Sequence, residues 1–262
     1  MPRLTDKDAI RMILRRDPAW CVYAVGDLSP EMFPKTEWFT PNLSMVLKDY
    51  GTSILFAMGS ASVREALDAV TWPVHLQVQG DALDVITQHA QVEGAREMWR
   101  MIWTGERALH KDDRAIRLGE ADVPALQQLY ADGETSGESP DFFYPAMVTR
   151  GVFFGVYEER QLVAAAGTHL VSRDEGAAAM GNIYTRCDRR GRGFGRVVTT
   201  AVMRELANLE TVGLNVRADN GAALSLYESL GFARHCRFYE AVGHRLTTIS
   251  QPPIDADQSA TD

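Results

Sequence analysis

The chain has 262 residues, 45% of them hydrophobic, and a formal net charge of −8 at pH 7. This length exceeds that of an ordinary single domain, so we expect two domains, each with enough apolar residues for its own core. The acidic balance argues against nucleic acid or an anionic membrane surface as a general partner, and no apolar run is long enough to cross a bilayer.

The first half of the chain alternates helical and strand-like apolar patterns, which predicts an α/β domain over residues 1–108. Helices are predicted at 6–16, 18–28, 62–70 and 82–89. Strands are predicted at 43–48, 52–57, 74–78 and 97–103. In the second helix we expect Trp20, Tyr23 and Leu28 to pack internally. A linker is expected at 105–114.

The second half has its own alternation of elements, which predicts a second domain over residues 114–248. Strands are predicted at 115–118, 152–157, 162–170, 180–185 and 212–216. Helices are predicted at 122–131 and 141–149, with two more in the motifs described next. Residues 251–262 are polar, acidic and marked by prolines, so a disordered tail is expected there.

The most informative segment runs from Met180 to Arg204 and joins an apolar strand to an amphipathic helix through a glycine-rich turn. Gly191, Gly193 and Gly195 let the backbone approach a ligand, and the first turn of a helix has N–H groups without intrahelical acceptors. The helix dipole and neighbouring arginines favour an anion there. The arginines are Arg189, Arg190, Arg192 and Arg196. The segment therefore predicts a binding site for a diphosphate group.

The spacing of this turn is R-x-x-G-x-G, with Arg190, Gly193 and Gly195 at its fixed positions. It matches neither the dinucleotide-binding pattern G-x-G-x-x-G nor a P-loop. By itself it also fits a plain glycine-rich connection whose arginines are solvated. A second pattern follows, N-x-x-A-x-x-L-Y-x-x-x-G-F, in which Asn220 precedes a helix that turns Tyr227 inwards.

Together, the two patterns resemble the coenzyme A signature and the second motif of the GNAT superfamily of N-acetyltransferases, over about residues 114–245. The resemblance implies an α/β (α+β) fold with a mixed sheet whose central strands splay apart, preceded by a degenerate GNAT-like domain without a catalytic role. Residues 17–28 also resemble the two-domain branch related to glycine N-acyltransferases. One departure is Arg-Cys-Asp at 186–188, where many relatives carry His-Pro-Asp; loss of the proline is expected to free this loop slightly.

The resemblance implies acetyl-CoA as co-substrate, transfer of the acetyl group to a primary amine by direct attack in a ternary complex, and no metal. The backbone of Ile183, Tyr184 and Thr185 would bind the pantetheine arm, and an N–H group of Ile183 or Tyr184 would stabilise the oxyanion. Tyr227 would donate a proton to the departing sulfur; its alternative role is a hydrogen-bonded core tyrosine. The other implied coenzyme contacts are Arg190, Gly191, Arg192, Gly193, Phe194, Gly195, Arg196, Asn220 and Ala223.

A base must take the proton of the attacking amine, and the sequence offers His169, Glu134 and Glu138, each of which also fits a structural or solvated role. The aromatic residues 142–144 are expected to line the acceptor pocket. The helix at 18–28 would frame that pocket only indirectly.

Two other functions stay open from the sequence: a coenzyme A binding or sensing module without turnover, and an acetyltransferase acting on a protein amino group. A small amine or amino-acid-like acceptor is the expected partner, with a homodimer as an option and neither nucleic acid nor membrane expected. Cys21, Cys187 and Cys236 are odd in number and widely spaced, which indicates neither a disulfide framework nor a zinc site and favours a cytoplasmic location.

Overall fold

The computed structural model describes residues 3–49, 51–134, 137–140 and 142–246. The predicted tail at 251–262 lies outside these residues. The described strands are β1 (Thr36–Phe39), β2 (Ser44–Asp49), β3 (Thr52–Ala57), β4 (Val74–Val78), β5 (Ala90–Trp103), β6 (Ile116–Arg117), β7 (Phe154–Glu158), β8 (Gln161–Ser172), β9 (Ala177–Thr185), β10 (Thr211–Arg217) and β11 (Phe232–Arg245). The described helices are α1 (Lys7–Leu14), α2 (Val22–Gly26), α3 (Val63–Ala69), α4 (Gly80–Thr87), α5 (Val123–Ala131), α6 (Ala146–Arg150), α7 (Phe194–Leu206) and α8 (Gly221–Ser229).

All eleven strands form one mixed sheet in the order β1-β2-β3-β4-β11-β5-β10-β9-β8-β7-β6. The pairs β3–β4 and β9–β10 are parallel, and the other pairs are antiparallel. The predicted mixed α/β fold is therefore confirmed. None of the helices in the described ranges is long and apolar enough to cross a membrane.

Strand β5, from the first half of the chain, lies between β10 and β11 of the second half. It pairs with β11 along almost its whole length, from Trp103 opposite Phe232 to Ala90 opposite Arg245. The sequence analysis predicted only the end of β5, from residue 97, and it missed β1 and β11. One sheet thus includes strands from both predicted domains, and the boundary between those domains stays a prediction.

Most helix boundaries follow local signals. The side chain of Asp6 accepts hydrogen bonds from the backbone N–H groups of Asp8 and Ala9, which fixes the start of α1. Helix α6 was predicted from residue 141, but it begins after Pro145. The prediction was wrong because a proline disfavours helical geometry at the residue before it and suits only the first turn of a helix.

The two faces of the sheet carry different helices. Along β9, Ala178 and Met180 belong to the apolar cluster beneath α7 and α8, whereas Ala177 and Ala179 belong to the cluster that includes α1 and α2. This alternation is that of a strand buried on both faces. Helix α2 therefore lies across β8 and β9 on the face opposite α7.

Candidate active site

The parallel strands β9 and β10 separate halfway along their length. Their pairing runs from Thr211 opposite Ala177 to Leu214 opposite Met180 and stops there. Beyond this point β9 continues to Thr185 beside β8, and β10 continues beside β5. The separation leaves backbone groups of both strands facing a gap, as the splayed strands of the sequence analysis require.

A β-bulge in β9 marks the start of the gap. Tyr184 lies opposite Ala165, but Gly181 lies opposite Gly167, so β9 has one residue more than β8 over this interval. Asn182, within the bulge, has a left-handed backbone with φ +53°. Its carbonyl oxygen accepts a hydrogen bond from the Tyr130 hydroxyl at 2.9 Å. The bulge is thus held in place from the side of α5.

The glycine-rich turn opens the N-terminus of α7 to solvent. Gly191 and Gly193 have φ of +75° and +80°, and no atom lies within 4 Å of where a β-carbon would stand on either residue. The first hydrogen bond of the helix joins the Val197 N–H to the Gly193 carbonyl. The preceding N–H groups therefore have no intrahelical acceptor, and the thirteen-residue helix directs them at open space suited to an anion.

The arginines around this turn are exposed and bind nearby acceptors. Arg190 donates to Glu138 at 2.8 Å and to the Thr185 carbonyl at 3.2 Å. Arg192 makes two hydrogen bonds of 2.7 Å to Glu158. These exposed pairs are weak, so an incoming phosphate can compete with the carboxylates for the guanidinium groups. The side chain of Phe194 is buried in the core, so only its backbone is available for the predicted coenzyme contact, which stays a prediction.

The loop at 186–188 is anchored. The Cys187 N–H donates to Asp132 at 3.0 Å, and the Tyr184 hydroxyl donates to the same carboxylate oxygen at 3.0 Å. A proline at 187 would have no N–H for this bond. The loop is therefore not freer without the proline, because the Cys187 N–H makes an additional hydrogen bond to the end of α5.

Helix α8 carries Tyr227 to the gap. Asn220 caps the helix, since its side chain accepts a hydrogen bond from the Ala223 N–H at 3.0 Å, and Gly231, with φ +91°, follows its end. Tyr227 is 7% exposed and packs edge-on against Phe232 with ring centroids 6.0 Å apart. Burial raises the pKa of Tyr227 above its ordinary value, so the phenol stays protonated at neutral pH.

A cavity of about 1060 Å³ connects this gap to the first half of the chain. Ile183, Asn220, Ala223 and Tyr227 form the part of its wall that lies at the gap. The remaining walls come from α2, α6, β2, β3, β4, β5, β8 and β11. Strands and helices of both halves thus line a single, partly open space that includes the predicted thioester site.

His169 forms part of this cavity wall. A β-carbon at residue 181 would overlap the His169 ring, so Gly181 lets the imidazole lie against β9. The His169 Nδ1 is hydrogen-bonded to the Tyr23 hydroxyl at 2.9 Å. Burial, together with the nearby Arg100 cation, lowers the pKa of His169 to about 4, so the ring is neutral at pH 7.

Arg100 is fully buried beneath Tyr23. Its guanidinium carbon lies 4.5 Å from the Tyr23 ring centroid, 5.1 Å from that of Trp20 and 5.2 Å from that of Phe238. Among the described residues, none accepts a hydrogen bond from its side-chain nitrogens. The guanidinium group therefore lies against three aromatic rings, and desolvation lowers the pKa of Arg100.

Only some of the residues predicted for the acceptor side of the site line the cavity. His169, Phe142 and Tyr144 line the cavity, whereas Phe143 packs against Tyr130 in the core. Glu138 reaches the cavity but is paired with Arg190, and Glu134 is exposed. Sequence analysis did not predict that Tyr23 and Asp27 line the cavity directly. Their spacing of four on a predicted helix was the available signal.

The comparisons with known proteins agree with this geometry. The FR47-like protein family matches residues 153–241, which include the gap, the turn and α8. The [ribosomal protein bS18]-alanine N-acetyltransferase of Salmonella typhimurium is 32% identical over 143 residues, which cover 52% of this chain and 95% of that protein. The chain belongs to the GNAT superfamily of N-acetyltransferases.

Another GNAT relative, the mycothiol acetyltransferase of Mycobacteroides abscessus, is 30% identical over 212 residues. That alignment covers 67% of this chain and 66% of the relative. Among solved structures, a GNAT family acetyltransferase from Novosphingobium aromaticivorans shares the fold, with a TM-score of 0.60 at 20% identity over 79% of this chain and 90% of that one. The expected GNAT fold and enzyme class are thereby confirmed, and the narrower likeness to glycine N-acyltransferases stays a prediction.

Proposed function

We propose that this GNAT protein transfers the acetyl group of acetyl-CoA to the primary amine of a small molecule, by direct attack in a ternary complex. The observation that carries the proposal is the separation of β9 and β10 beside Tyr227, in a cavity lined by both halves of the chain. A thioester in the gap and an amine in the cavity would meet there.

The residues around the gap fit the coenzyme. The open turn with Gly191 and Gly193 offers unpaired N–H groups to the diphosphate, and the surrounding arginines offer charge. The strand edges of β9 and β10 offer donors and acceptors to the two amides of the pantetheine arm. No group of metal-binding side chains occurs within the described ranges, and this chemistry calls for none.

In the reaction, the amine nitrogen attacks the thioester carbonyl, a C–N bond forms, and the C–S bond then breaks. A backbone N–H of the bulged segment near Ile183 would stabilise the oxyanion. Tyr227, protonated at neutral pH, would give its proton to the leaving sulfur, and the proton released by the attacking nitrogen would pass through water to restore the phenol. His169, whose pKa is about 4, is too weak a base to deprotonate an ammonium group efficiently, so we assign it to shaping the cavity.

The contribution of both halves of the chain to the cavity wall favours a small acceptor over a protein amino group. Helix α2 and strands β2, β3 and β4 of the first half form part of its wall. The Salmonella relative named for a ribosomal protein aligns over 143 residues and 95% of its length, so it is too short to include both halves. The relative named for mycothiol aligns with 67% of this chain.

The test is the unfolding temperature with and without acetyl-CoA, followed by thiol release with a panel of amines. Ligand at about a hundred times its dissociation constant stabilises a protein by about 2.7 kcal/mol, which gives a readily measured rise. No rise at millimolar acetyl-CoA would refute the proposal. A rise without thiol release for any amine would instead favour a coenzyme A sensing module.

A further inference from the structure

Strand β8 has a β-bulge of its own at His169, beside the gap. Thr168 and Leu170 lie opposite consecutive residues of β9, so His169 between them is an extra residue. A bulge re-aims the side chain of its extra residue. The ring of His169 is turned onto β9, since a β-carbon on Gly181 would overlap its Cε1 and Nε2 atoms. The pairing of β9 with β10 ends at Met180, so the imidazole covers the first residue of β9 in the gap.

The position of the proton on the imidazole ring follows from Tyr23. Burial raises the pKa of Tyr23 above its ordinary value, so its hydroxyl keeps its proton at neutral pH. Among the described residues, the hydrogen-bond partner of this hydroxyl is His169 Nδ1, at 2.9 Å. The hydroxyl therefore donates to Nδ1, because the opposite arrangement would leave the phenol proton without an acceptor. A neutral imidazole whose Nδ1 accepts a hydrogen bond carries its own proton on Nε2.

The Nε2–H group of His169 is an unused donor at the cavity wall. Within the described ranges of the chain, no side chain or carbonyl oxygen accepts a hydrogen bond from it. Nε2 is also not one of the polar atoms that lack both a partner and accessible surface, in contrast to the guanidinium nitrogens of Arg100. The donor is therefore open to the cavity that His169 lines, and an oxygen atom of a ligand can reach it.

The charge that acts on His169 is positive. The guanidinium carbon of Arg100 lies 4.5 Å from the centroid of the Tyr23 ring, and its charge opposes a second proton on His169. The same field favours a negatively charged oxygen beside the imidazole. The carboxylate of Glu240 also lines the cavity and accepts a hydrogen bond from Asn215 at 3.1 Å. Its charge affects the pKa values of Tyr23 and Arg100 and is not among the causes of the shift at His169.

We propose that His169 is a specificity-determining residue, whose Nε2–H binds a carboxylate that the acceptor carries next to its reacting amine. The inference rests on the proposed function and adds the substrate class to it. Because the imidazole covers Gly181 at the start of the gap, a carboxylate bound there places the neighbouring nitrogen beside a thioester in the gap. Tyr23 is a positioning residue, since it decides which imidazole nitrogen carries the proton. Arg100 supplies the positive field and does not touch the ligand.

The first measurement is nitrogen NMR of the protein labelled with ¹⁵N in its histidines. At neutral pH the wild-type spectrum should show His169 protonated on Nε2, and this resonance should shift when an amino acid is added. A ring protonated on Nδ1 would overturn the inference. Tyr23→Phe keeps the aromatic ring against Arg100 but leaves Nδ1 without its donor, so the two neutral forms of the ring should then mix.

The second measurement compares alanine, leucine and phenylalanine with their amides and with the amines that lack the carboxyl group. Acetylation is followed by thiol release at equal concentrations of unprotonated amine. Wild-type protein should prefer at least one amino acid about ten- to hundredfold in kcat/KM over both of its analogues. An amide used as well as its amino acid would overturn the assignment of a carboxylate.

Variants of His169 connect this preference to the donor. His169→Leu removes the donor and should abolish the preference, whereas His169→Gln, whose side-chain amide can donate from a similar position, should keep part of it. The matched control is His110→Leu, which makes the same change at an exposed position outside the cavity wall and should keep the wild-type preference.

Equal use of amino acids and simple amines, or a preference that survives His169→Leu, would overturn the inference while acetyl transfer stands. If acetyl-CoA does not bind, the proposed function fails. The response of the Nε2 resonance to amino acids without coenzyme then still decides whether His169 binds a carboxylate.

Discussion

Replacing Asp27 by asparagine is expected to stabilise the ligand-free protein at neutral and alkaline pH. Burial and the neighbouring Asp49 raise the pKa of Asp27 from 3.8 to about 7. Between these two values the unfolded chain loses the proton and the folded chain keeps it, so the free energy of unfolding falls as the pH rises. About three pH units at 1.36 kcal/mol each give about 4 kcal/mol, an upper limit because solvent in the cavity screens the charge.

The assay is urea unfolding of the wild type and of Asp27→Asn from about pH 4 to about pH 9. The contributions of other titrating groups cancel in the difference between the two proteins. That difference should be small near pH 4, grow in favour of the variant up to about pH 7, and then stay constant. A difference that does not change with pH, or a variant less stable throughout, would refute the account of Asp27 as an unpaired, half-buried acid.

Two further predictions concern the coenzyme end of the site. Tyr227→Phe keeps the edge-on ring contact with Phe232 but removes the proton donor. Acetyl-CoA should therefore still raise the unfolding temperature, while turnover falls by about 10²–10⁴. Unchanged turnover would show that Tyr227 is only a core tyrosine. Gly193→Asp adds a strained β-carbon and a negative charge to the turn, so it should abolish that rise in unfolding temperature. Gly51→Asp is its control, because Gly51 has φ +75° in equally open surroundings away from the cavity. Binding that survives Gly193→Asp would contradict the placement of the diphosphate.

The segment from β9 to α8 could be predicted from the sequence because its signals are local. The glycines of the turn, the cap at Asn220 and the inward spacing of Tyr227 each depend on residues within one or two helical turns. Strand β11 had no such signal. Its charged and histidine-rich stretch after Phe232 is held by β5 and β4, which lie more than a hundred residues earlier in the chain.

The acceptor end of the cavity could not be predicted for the same reason. The spacing of Tyr23 and Asp27 places them on one side of a helix, but only the packing of α2 over β8 and β9 decides that this side faces a cavity. Arg100 is a charged residue in an apolar run, and nothing near it in sequence indicates that aromatic rings from two distant segments surround it. Long-range packing sets both features.

The insertion of β5 between β10 and β11 has a consequence for how the molecule is built. Strand β5 is synthesised early, but its sheet is complete only when β11, the last described strand, has been synthesised. Much of the folding is therefore delayed until then. Because these contacts join residues far apart in sequence, the contact order is high and folding should be slow. A fragment beginning at residue 114 would lack β5 and expose two unpaired strand edges, which invites aggregation. Expression of the predicted catalytic domain alone is therefore a poor starting point, and a split protein would need β5 supplied in trans to restore the interior of its sheet.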